Sequence, residues 1–405
     1  MKKEFNIAII GGGAAGLIAA IAAKRHRGDL SVAVFEREDR IGKKLLRTGN
    51  GRCNITNKFI CEDRYHGADP EFIEAAFDRF PVPTVAKFFE SIGVMIDFWD
   101  DGRAYPSSYQ ASSVLDALRF AGEELGVEYI CETEIKKITP KKGGFALLAE
   151  EEFFAQRVIV ACGTSAGLRR ETLPLLKNMG YESVDIKPAI VAIKTDPFFV
   201  RQLKGIKFEG AVSAVKDSVK LKTSEGEILF AEDGVSGPPA LDIARLISHK
   251  RVDHISLDIF PNRSFEELIK ILETRRLLLG KREMDNFFTG MVNKRLGQIL
   301  VKYSGIELHS PVSDLSDDKL QVLAWALKDF RIKAMGTQNL ALAQVGAGGI
   351  LTNQFDPFTM ESRRHKGLFA VGEMLDIDGD CGGFNLQWAW SSGLLAAESA
   401  CGSFE

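Results

Sequence analysis

The chain has 405 residues, of which 52 are lysine or arginine and 55 are aspartate or glutamate, so its formal net charge is −3. This length predicts two or three domains with ample apolar residues for a core. A charge balance this close to neutral, on the acidic side, gives no electrostatic basis for binding nucleic acid or an anionic membrane. The apolar fraction of 45% is ordinary for a globular protein.

The six cysteines and six histidines show no spacing that is typical of a metal site or a redox pair. The sequence contains neither C-x-x-C nor H-x-x-x-H. We therefore expect reduced thiols in a cytoplasmic protein, with no bound metal. We also expect no signal peptide or membrane span at the amino terminus, because Glu4 and three glycines interrupt its basic start and apolar stretch.

Residues 5–36 have the pattern of strand, glycine turn, helix and strand. The apolar run Phe5–Ile10 is typical of a buried parallel strand. Gly11, Gly13 and Gly16 then form G-x-G-x-x-G between this strand and the predicted helix. In this motif the first glycine allows the tight turn, the second lets a pyrophosphate approach the backbone, and the third lets the helix pack on the strand.

Two further features complete a dinucleotide-binding motif. The free N–H groups at Ala14 and Ala15 face the phosphates at the start of the predicted helix. The second strand, Val32–Phe35, ends at Glu36, about 20 residues past the last glycine, where an acid can hold a ribose 2′-hydroxyl. Because Glu36 would repel a 2′-phosphate, FAD or NAD is favoured over NADP at this site.

The segment 38–57 is too polar and too rich in glycine for a core element, and we predict a long loop that lies along the ligand. Asn50 and Asn54 can hydrogen-bond the edge of a heterocycle. A solvated basic loop is the alternative, but the position directly after Glu36 favours ligand contact. The basic side chains that can neutralise phosphates are Arg37, Lys43, Lys44, Arg47 and Arg52.

Two blocks of sequence resemble one known family. The glycine block at 11–16, with Gly42-Lys43-Lys44 and the block Thr48–Asn54 (TGNGRCN), is similar to bacterial FAD-binding flavoproteins. These include aminoacetone oxidase-like proteins and BaiN-like bile-acid reductases. The TGNGRCN block is far more specific than the glycine fingerprint, and it places Thr48 and Gly49 among the expected cofactor contacts. The resemblance implies an α/β fold with a Rossmann-like FAD-binding domain of the glutathione reductase type.

Helical spacing predicts two helices over residues 70–93 and another from about 111 to 125. The family carries an aromatic-Pro-x-Ser loop near the substrate side of the flavin, and Tyr105-Pro106-Ser107-Ser108 is similar to it. The resemblance therefore implies that Tyr105 packs in the substrate pocket. A plain turn with a helix cap from Ser112 is the alternative.

Two segments in the middle of the first domain are expected to reach the cofactor. Short strands are predicted at 126–130 and 133–139, and the resemblance implies that the backbone near Ile135 meets the adenine. The apolar run 157–164 resembles the second FAD motif, which places Ala161 and Gly163 at the cofactor. Cys162 is expected to be a small packing residue and not a redox thiol.

The domain organisation follows from a change in pattern near Pro188. We predict a discontinuous FAD-binding domain, residues 1–188 and 340–405. Half-exposed alternating strands predict an inserted β-rich domain at 189–262, with a hairpin turn at Ser224–Gly226. Helical periodicity predicts a helical segment at 263–339.

The last part of the chain returns to the cofactor. A strand near 367–371 ends in Gly372-Glu373, and in related flavoproteins an acid here accepts a ribityl hydroxyl. Two glycines then precede a helix predicted from Phe384 to about Cys401. A helix that starts there directs unpaired N–H groups at the flavin N1–C2=O edge. The expected contacts are Gly383, Phe384 and Asn385, with Phe384 also a pocket candidate.

These resemblances imply an FAD-dependent oxidoreductase that transfers hydride between the flavin N5 and a small organic or steroid-like substrate. Similarity to the BaiN-like proteins implies an enone reductase linked to NAD(P)H. Similarity to aminoacetone oxidase implies amine oxidation by dioxygen with release of hydrogen peroxide. The shared motifs cover the cofactor, so they do not separate these alternatives. The sequence lacks a second glycine fingerprint, so an NAD(P)H donor would need an unusual site.

Two other classes of function stay open. The chain could be a flavin-dependent RNA-modifying protein or a flavin-binding protein without catalysis. The acidic charge balance counts against RNA, since nucleic-acid binding needs a basic patch. We therefore expect a small-molecule substrate and neither a nucleic acid nor a membrane as partner.

Overall fold

A computed structural model describes residues 3–167, 171–249 and 251–402 of the chain. It consists of two compact units. Unit 1 comprises Met1–Lys187 and Leu340–Glu405, and unit 2 comprises Pro188–Asn339.

Helices and strands alternate along most of the described chain. The α-helices are α1 (Ala14–His26), α2 (Pro70–Arg79), α3 (Val82–Ser91), α4 (Ala111–Glu124), α5 (Pro174–Lys177), α6 (Pro197–Val200), α7 (Pro238–Ser248), α8 (Phe265–Leu279), α9 (Lys294–Tyr303), α10 (Asp317–Lys328) and α11 (Phe384–Gly402). None of these described helices combines the length and the apolar character needed to cross a membrane.

The described strands range from two to twelve residues in length. They are β1 (Lys3–Ile10), β2 (Val32–Phe35), β3 (Thr56–Asn57), β4 (Tyr65–His66), β5 (Ile96–Phe98), β6 (Arg103–Pro106), β7 (Glu128–Ile130), β8 (Lys137–Lys141), β9 (Gly144–Leu148), β10 (Glu152–Val160), β11 (Ser183–Ile190), β12 (Ile193–Thr195), β13 (Lys207–Lys216), β14 (Val219–Phe230), β15 (Gly234–Ser236), β16 (His254–Asp258), β17 (Phe330–Thr337), β18 (Val345–Ile350), β19 (Leu368–Ala370) and β20 (Asp378–Gly379).

Unit 1 is built on a mostly parallel sheet in the order β7-β2-β1-β10-β9-β8, with β19 also paired to β10. Strand β10 changes partner along its length, pairing antiparallel with β9 at its start and parallel with β19 at Val158–Val160. Strands β7, β2, β1, β10 and β19 run parallel. Their carboxyl ends therefore meet at one edge of the sheet, where open α/β sheets bind their ligands.

Helices α1 and α11 form the core against this sheet. Both bury most of their residues, as helices that are apolar on most sides do. Small residues let the two helices approach closely, because a Cβ at Gly393 would lie 2.6 Å from the carbonyl oxygen of Ala15. The first turn of α1 thus packs directly on α11, which fixes the separation of the two helix starts within unit 1.

Unit 2 contains a closed barrel in the order β12-β15-β14-β13-β16-β17. The strand that closes it, β17, lies in the segment predicted to be helical at 263–339, so the β-rich part extends beyond residue 262. Phe330 and Ile332 alternate with exposed Arg331 and Lys333. Strand β17 directly follows α10 and pairs only with strands that are distant in sequence. Local periodicity alone therefore does not distinguish it from the neighbouring helices.

The predicted hairpin turn at Ser224–Gly226 is wrong, because β14 continues through these residues. The turn lies at Asp217 and Ser218, whose φ angles are 48° and 64°. Two consecutive residues with positive φ are typical of the type I′ turn that matches the twist of paired strands. Gly226 instead lets Pro239, at the start of α7, approach the strand, since a Cβ there would lie 3.3 Å from the proline ring.

Candidate functional site

The turn between β1 and α1 depends on two glycines that cannot carry a side chain. Gly11 has φ 109°, and a Cβ there would lie 2.5 Å from the carbonyl oxygen of Ala161. A Cβ at Gly16 would overlap the carbonyl oxygen of Gly11. Gly11 therefore lets the turn pass against the end of β10, and Gly16 seats α1 on the turn.

Gly13 differs from these two glycines because its Cβ would meet no described atom within 4 Å. Its backbone is extended, with φ −85°, and it forms the N-cap of α1. The first turn of α1 contains no acidic side chain. The first N–H groups of a helix have no acceptor within it, so those of Ala14 and Ala15 are available to an anion. Open space beside these donors fits a pyrophosphate that approaches the backbone.

Glu36 stands at the end of β2 and faces this turn. Its carboxylate accepts hydrogen bonds of 2.9 Å from the backbone N–H groups of Gly12 and Glu38. A carboxylate offers about four acceptor positions, so the two that remain can take ribose hydroxyls. The structure thus fixes the orientation of Glu36, and its contact with a ribose stays a prediction.

Glu36→Ala is expected to weaken FAD binding about tenfold or more and to lower the free energy of unfolding by about 1–3 kcal/mol. The loss of affinity follows from losing the predicted ribose acceptor, and the loss of stability follows from leaving the N–H groups of Gly12 and Glu38 without their acceptor. FAD titration of the apoprotein and urea unfolding measure the two quantities. Glu38→Ala is the control, because that side chain is partly exposed and pairs with Lys43. Unchanged FAD affinity in Glu36→Ala would exclude the ribose contact.

The segment predicted to meet the adenine lies beside Glu36. The N–H of Glu132 donates to the carbonyl of Glu38 at 2.8 Å, and the N–H of Thr133 donates to that of Glu36 at 2.9 Å. Ile135 follows and is buried, with 6% of its surface exposed. Strand β8 begins only at Lys137, so the backbone around Ile135 is irregular and runs next to the end of β2.

Most basic side chains predicted to bind phosphate have partners within the protein. Lys43 is held by Glu38 at 2.9 Å and by Asp39. The Arg47 guanidinium donates to the carbonyl of Gly167 at 3.1 Å. Arg37 lies 3.9 Å from Glu134. Lys43 and Arg37 are thus neutralised by nearby acids, and Arg47 is held by a carbonyl. The helix N–H groups remain the better candidates for phosphate ligands.

Lys44 pairs with Glu373, which lies 329 residues further along the chain, at 2.5 Å. Glu373 follows Gly372 at the end of β19, and its carboxylate lies 3.6 Å from the Cβ position of Gly163. A Cβ at Gly372 would lie 3.1 Å from the methyl group of Ala15. The ends of β10 and β19 and the start of α1 therefore converge, as the two FAD motifs predict, with Lys44 holding the acid instead of a phosphate.

The TGNGRCN block forms an irregular 3₁₀ loop at Leu45–Gly51. Gly49 and Asn50 adopt left-handed backbone angles, with φ 56° and 57°, and Asn50 is exposed. The hydroxyl of Thr48 donates to the carbonyl of Leu45 at 2.7 Å. Asn54 is buried and its amide oxygen accepts from the N–H of Ala104 at 3.1 Å. That oxygen therefore holds β6 in place, and the contact of the Asn54 side chain with a heterocycle stays a prediction.

Polar contacts join the end of this loop to the start of α11. The hydroxyl of Thr56 donates to Gln387 at 2.6 Å, and the amide of Asn57 donates to the carbonyl of Gly382 at 2.8 Å. Gly383 has φ 103°, and a Cβ there would overlap the carbonyl oxygen of Thr56. The absence of a side chain at Gly383 thus lets α11 begin against the backbone of β3. The first N–H groups of the helix are held in a fixed direction as a result.

The side chains of Phe384 and Asn385 have structural roles, which corrects the assignment of the Phe384 ring to the substrate pocket, whereas contact of these two residues with the cofactor stays a prediction. Phe384 is 2% exposed and packs edge-on against Tyr65, with ring centroids 6.0 Å apart. The Asn385 amide bonds to both the N–H and the carbonyl of Gly379, at 2.9 and 2.8 Å. Because both side chains are taken up by contacts within the protein, the backbone N–H groups at the start of α11 are the groups that can face a ligand.

Three of the six thiols are disfavoured for redox chemistry because their pKa values are raised. Burial raises the pKa of Cys53 and Cys162 to about 12 and that of Cys401 to about 11. The Cys162 thiol donates to the carbonyl of Ile10 at 3.3 Å. The described structure records all six cysteines as free thiols, of which Cys61 is exposed.

We expect a disulfide reagent such as DTNB at pH 8 to modify Cys61 rapidly and to leave Cys53 and Cys162 intact in the folded protein. A thiol of pKa about 12 is ionised in only about one molecule in 10⁴ at that pH. Cys61→Ser should remove the rapid phase. Rapid modification of Cys162, with the visible flavin spectrum altered, would contradict its assignment as a packing residue.

Comparison with known proteins supports this assembly of motifs. The family model described as the HI0933-like protein Rossmann domain matches residues 5–399. The chain is 34% identical to the 3-dehydro-bile acid delta(4,6)-reductase of Clostridium scindens, over 98% of both chains. It is 26% identical to the ribosomal RNA dihydrouridine synthase of Haemophilus influenzae, over 98% of this chain and 99% of that one.

A solved structure shows the same fold. It is the 3-ketosteroid delta1-dehydrogenase of Sterolibacterium denitrificans, which is 12% identical, with a TM-score of 0.52 over 99% of this chain and 100% of that one. Together with the family match, this likeness confirms the predicted α/β fold with a Rossmann-type FAD-binding domain. The predicted family and the assignment as an FAD-dependent oxidoreductase are confirmed as well. The chain belongs to the HI0933-like family of FAD-binding Rossmann proteins.

Proposed function

We propose that this protein reduces a carbon–carbon double bond conjugated to a carbonyl group in a steroid-like substrate, with NADH or NADPH as electron donor. The observation that carries the proposal is the 34% identity to the bile-acid reductase over 98% of both chains. The similarity spans both chains almost entirely, so it includes unit 2 as well as unit 1.

The names of two relatives describe the same kind of chemistry. A 3-dehydro-bile acid with a double bond at position 4 is an enone. Dihydrouridine is formed when the uracil double bond next to its carbonyl is reduced. Such a double bond takes up a hydride at its far carbon and a proton at the carbon beside the carbonyl. FAD bound in unit 1 would supply hydride transfer through its N5 position.

The residues of unit 1 would bind and orient the cofactor. The backbone N–H groups of Ala14 and Ala15 would hold the pyrophosphate, and Glu36 would hold a ribose. Glu373, oriented by Lys44, would accept a ribityl hydroxyl. The positive end of α11 would stabilise negative charge on the pyrimidine side of the flavin, with Gly383 permitting close approach.

The experiment is anaerobic reduction of the FAD-loaded protein with NADH or NADPH, followed by addition of a steroid 4-en-3-one. We expect bleaching of the flavin absorbance by one nicotinamide and its return when the enone is added. If neither nicotinamide bleaches the flavin, and the flavin reduced by dithionite is not reoxidised by the enone, the proposal is wrong. Bleaching by aminoacetone, with hydrogen peroxide formed in air, would support the amine oxidase alternative instead.

A second candidate function is reduction of uracil in RNA, which the likeness to the ribosomal RNA dihydrouridine synthase favours. The net charge of −3 counts against it, because RNA binding depends on neutralising phosphates. The same experiment separates the two candidates when uridine-containing RNA replaces the enone. Reoxidation of the reduced flavin by RNA and not by the enone would favour this second function.

A further inference from the structure

A group of aromatic rings and one guanidinium, which we call the aromatic platform, lies in unit 1. It consists of Trp99, Tyr105, Tyr109 and Arg52. The ring centroids of Trp99 and Tyr105 are 4.7 Å apart, and those of Trp99 and Tyr109 are 6.1 Å apart. The Arg52 guanidinium lies 5.0 Å from the ring centre of Tyr105 and 5.6 Å from that of Trp99. These four side chains therefore form one contiguous cluster.

The platform exposes its rings to solvent and is held in a fixed arrangement. Trp99 is 36% exposed and Tyr109 is 39% exposed, whereas Tyr105 is buried beneath them. The indole N–H of Trp99 donates to the hydroxyl of Tyr109 at 3.3 Å. Tyr109 has a φ of 51°, which is uncommon and strained for a residue with a side chain. Strain of this kind persists where the surrounding structure imposes it, and it is concentrated at functional sites.

The platform is continuous with the loop expected to contact the cofactor. The Tyr105 ring lies 3.3 Å from the Cβ position of Gly49, and Arg52 donates to the carbonyl of Gly49 at 3.3 Å. Tyr105 belongs to β6, which pairs with β3, and Thr56 in β3 contacts the start of α11. One strand, β3, thus separates the platform from the turn that begins α11, and the platform lies beside the candidate FAD site.

The charge around the platform distinguishes between substrates. Asp97, Asp100 and Asp101 flank Trp99 in the sequence, and among them Asp101 pairs with Arg103 at 3.4 Å. The platform's own guanidinium and that of Arg103 offset these carboxylates, so this segment carries no excess of the positive charge on which affinity for an RNA backbone mainly depends. Exposed rings packed side by side instead favour stacking of a flat, apolar ring system.

We propose that the aromatic platform binds the ring system of an uncharged, steroid-sized substrate and determines substrate specificity at the FAD site. This inference rests on the proposed function, because it names the surface at which an enone substrate would be held. Trp99 and Tyr109 provide the exposed contact area. Arg52 packs against Trp99, and Tyr105 packs against both exposed rings.

The test is equilibrium dialysis of the FAD-loaded, oxidised protein against progesterone, a neutral steroid 4-en-3-one. We expect binding by the wild type and a dissociation constant about tenfold higher in Trp99→Ala and in Tyr109→Ala, since each loses a stacked ring. Trp99→Phe keeps a ring and should stay within about threefold of the wild type. Trp325→Ala is the matched control, because Trp325 is 56% exposed and also packs on an aromatic ring, that of Phe265, at 4.6 Å.

Equal binding by the wild type and Trp99→Ala, or no binding of progesterone by the wild type, would overturn the inference. Platform-dependent binding of a uridine-rich single-stranded RNA in place of progesterone would also overturn it. Steady-state kinetics of enone reduction distinguish this inference from the proposed function. Enone reduction with an unchanged KM in Trp99→Ala rejects the platform and keeps the function. Platform-dependent binding without enone reduction keeps the platform and rejects the function.

Discussion

Gly13→Ala is expected to weaken FAD binding at least 100-fold while leaving the fold intact. The added methyl group would meet no described protein atom within 4 Å, and the backbone at φ −85° accepts alanine without strain. The methyl group would occupy the space through which we expect the pyrophosphate to reach the N–H groups of α1. A 100-fold loss corresponds to about 2.7 kcal/mol of binding free energy.

This substitution separates ligand binding from stability. FAD titration of the apoprotein gives the dissociation constant. Urea unfolding of the same apoprotein should show a free energy of unfolding within about 1 kcal/mol of the wild type, because alanine restricts the unfolded chain but is a poorer N-cap than glycine. Gly28→Ala is the matched control, since its Cβ would lie 3.7 Å from the nearest atom, at the opposite end of α1. FAD binding by Gly13→Ala within about threefold of the wild type would contradict the position that we assign to the pyrophosphate.

Gly383→Ala is expected to destabilise unit 1 by about 3 kcal/mol or more and to prevent retention of FAD. Its φ of 103° is unfavourable for alanine, and the added Cβ would overlap the carbonyl oxygen of Thr56. Relief of this overlap requires α11 to move away from β3. The N–H groups at the start of the helix would move with it.

The neighbouring glycine provides the control for this prediction. Gly382 has φ 130°, but its Cβ would lie 3.5 Å from the nearest side-chain atoms, so Gly382→Ala introduces backbone strain without overlap. We expect it to lower the free energy of unfolding by only about 1–2 kcal/mol. Urea unfolding and the absorbance of bound flavin measure both variants. Equal stability of Gly382→Ala and Gly383→Ala would show that the contact with Thr56 does not position α11.

The elements expected to bind the dinucleotide could be predicted from the sequence almost to the residue. Strand β2 covers Val32–Phe35 as predicted, α1 begins at Ala14, and α11 begins at Phe384. These predictions succeeded because the signals are local. Glycine spacing, apolar runs and the positions of helix starts all lie within a few residues of the element that they determine.

Side-chain partners distant in sequence could not be predicted in the same way. Lys44 has the charge and the loop position of a phosphate ligand, and only the fold brings Glu373 beside it. Phe384 occupies the first position of a helix that faces the site, yet its ring turns into the core against Tyr65. Both outcomes depend on which elements become neighbours, which local sequence does not encode.

Other features have sequence signals in residue type and not in periodicity. Asp217 and Ser218 are typical turn residues between two alternating segments, and they mark the hairpin better than Ser224–Gly226. The aromatic platform is visible in part as Trp99, Tyr105 and Tyr109, three aromatic residues within eleven positions. Its fourth member, Arg52, joins the cluster only through the fold.

The measurement that tests the account most directly is a crystal structure of the FAD-loaded protein. We predict pyrophosphate oxygens within hydrogen-bond distance of the N–H groups of Ala14 and Ala15, and the flavin N1–C2=O edge against the first turn of α11. A structure in which one bound FAD does not touch both helix starts would contradict the account.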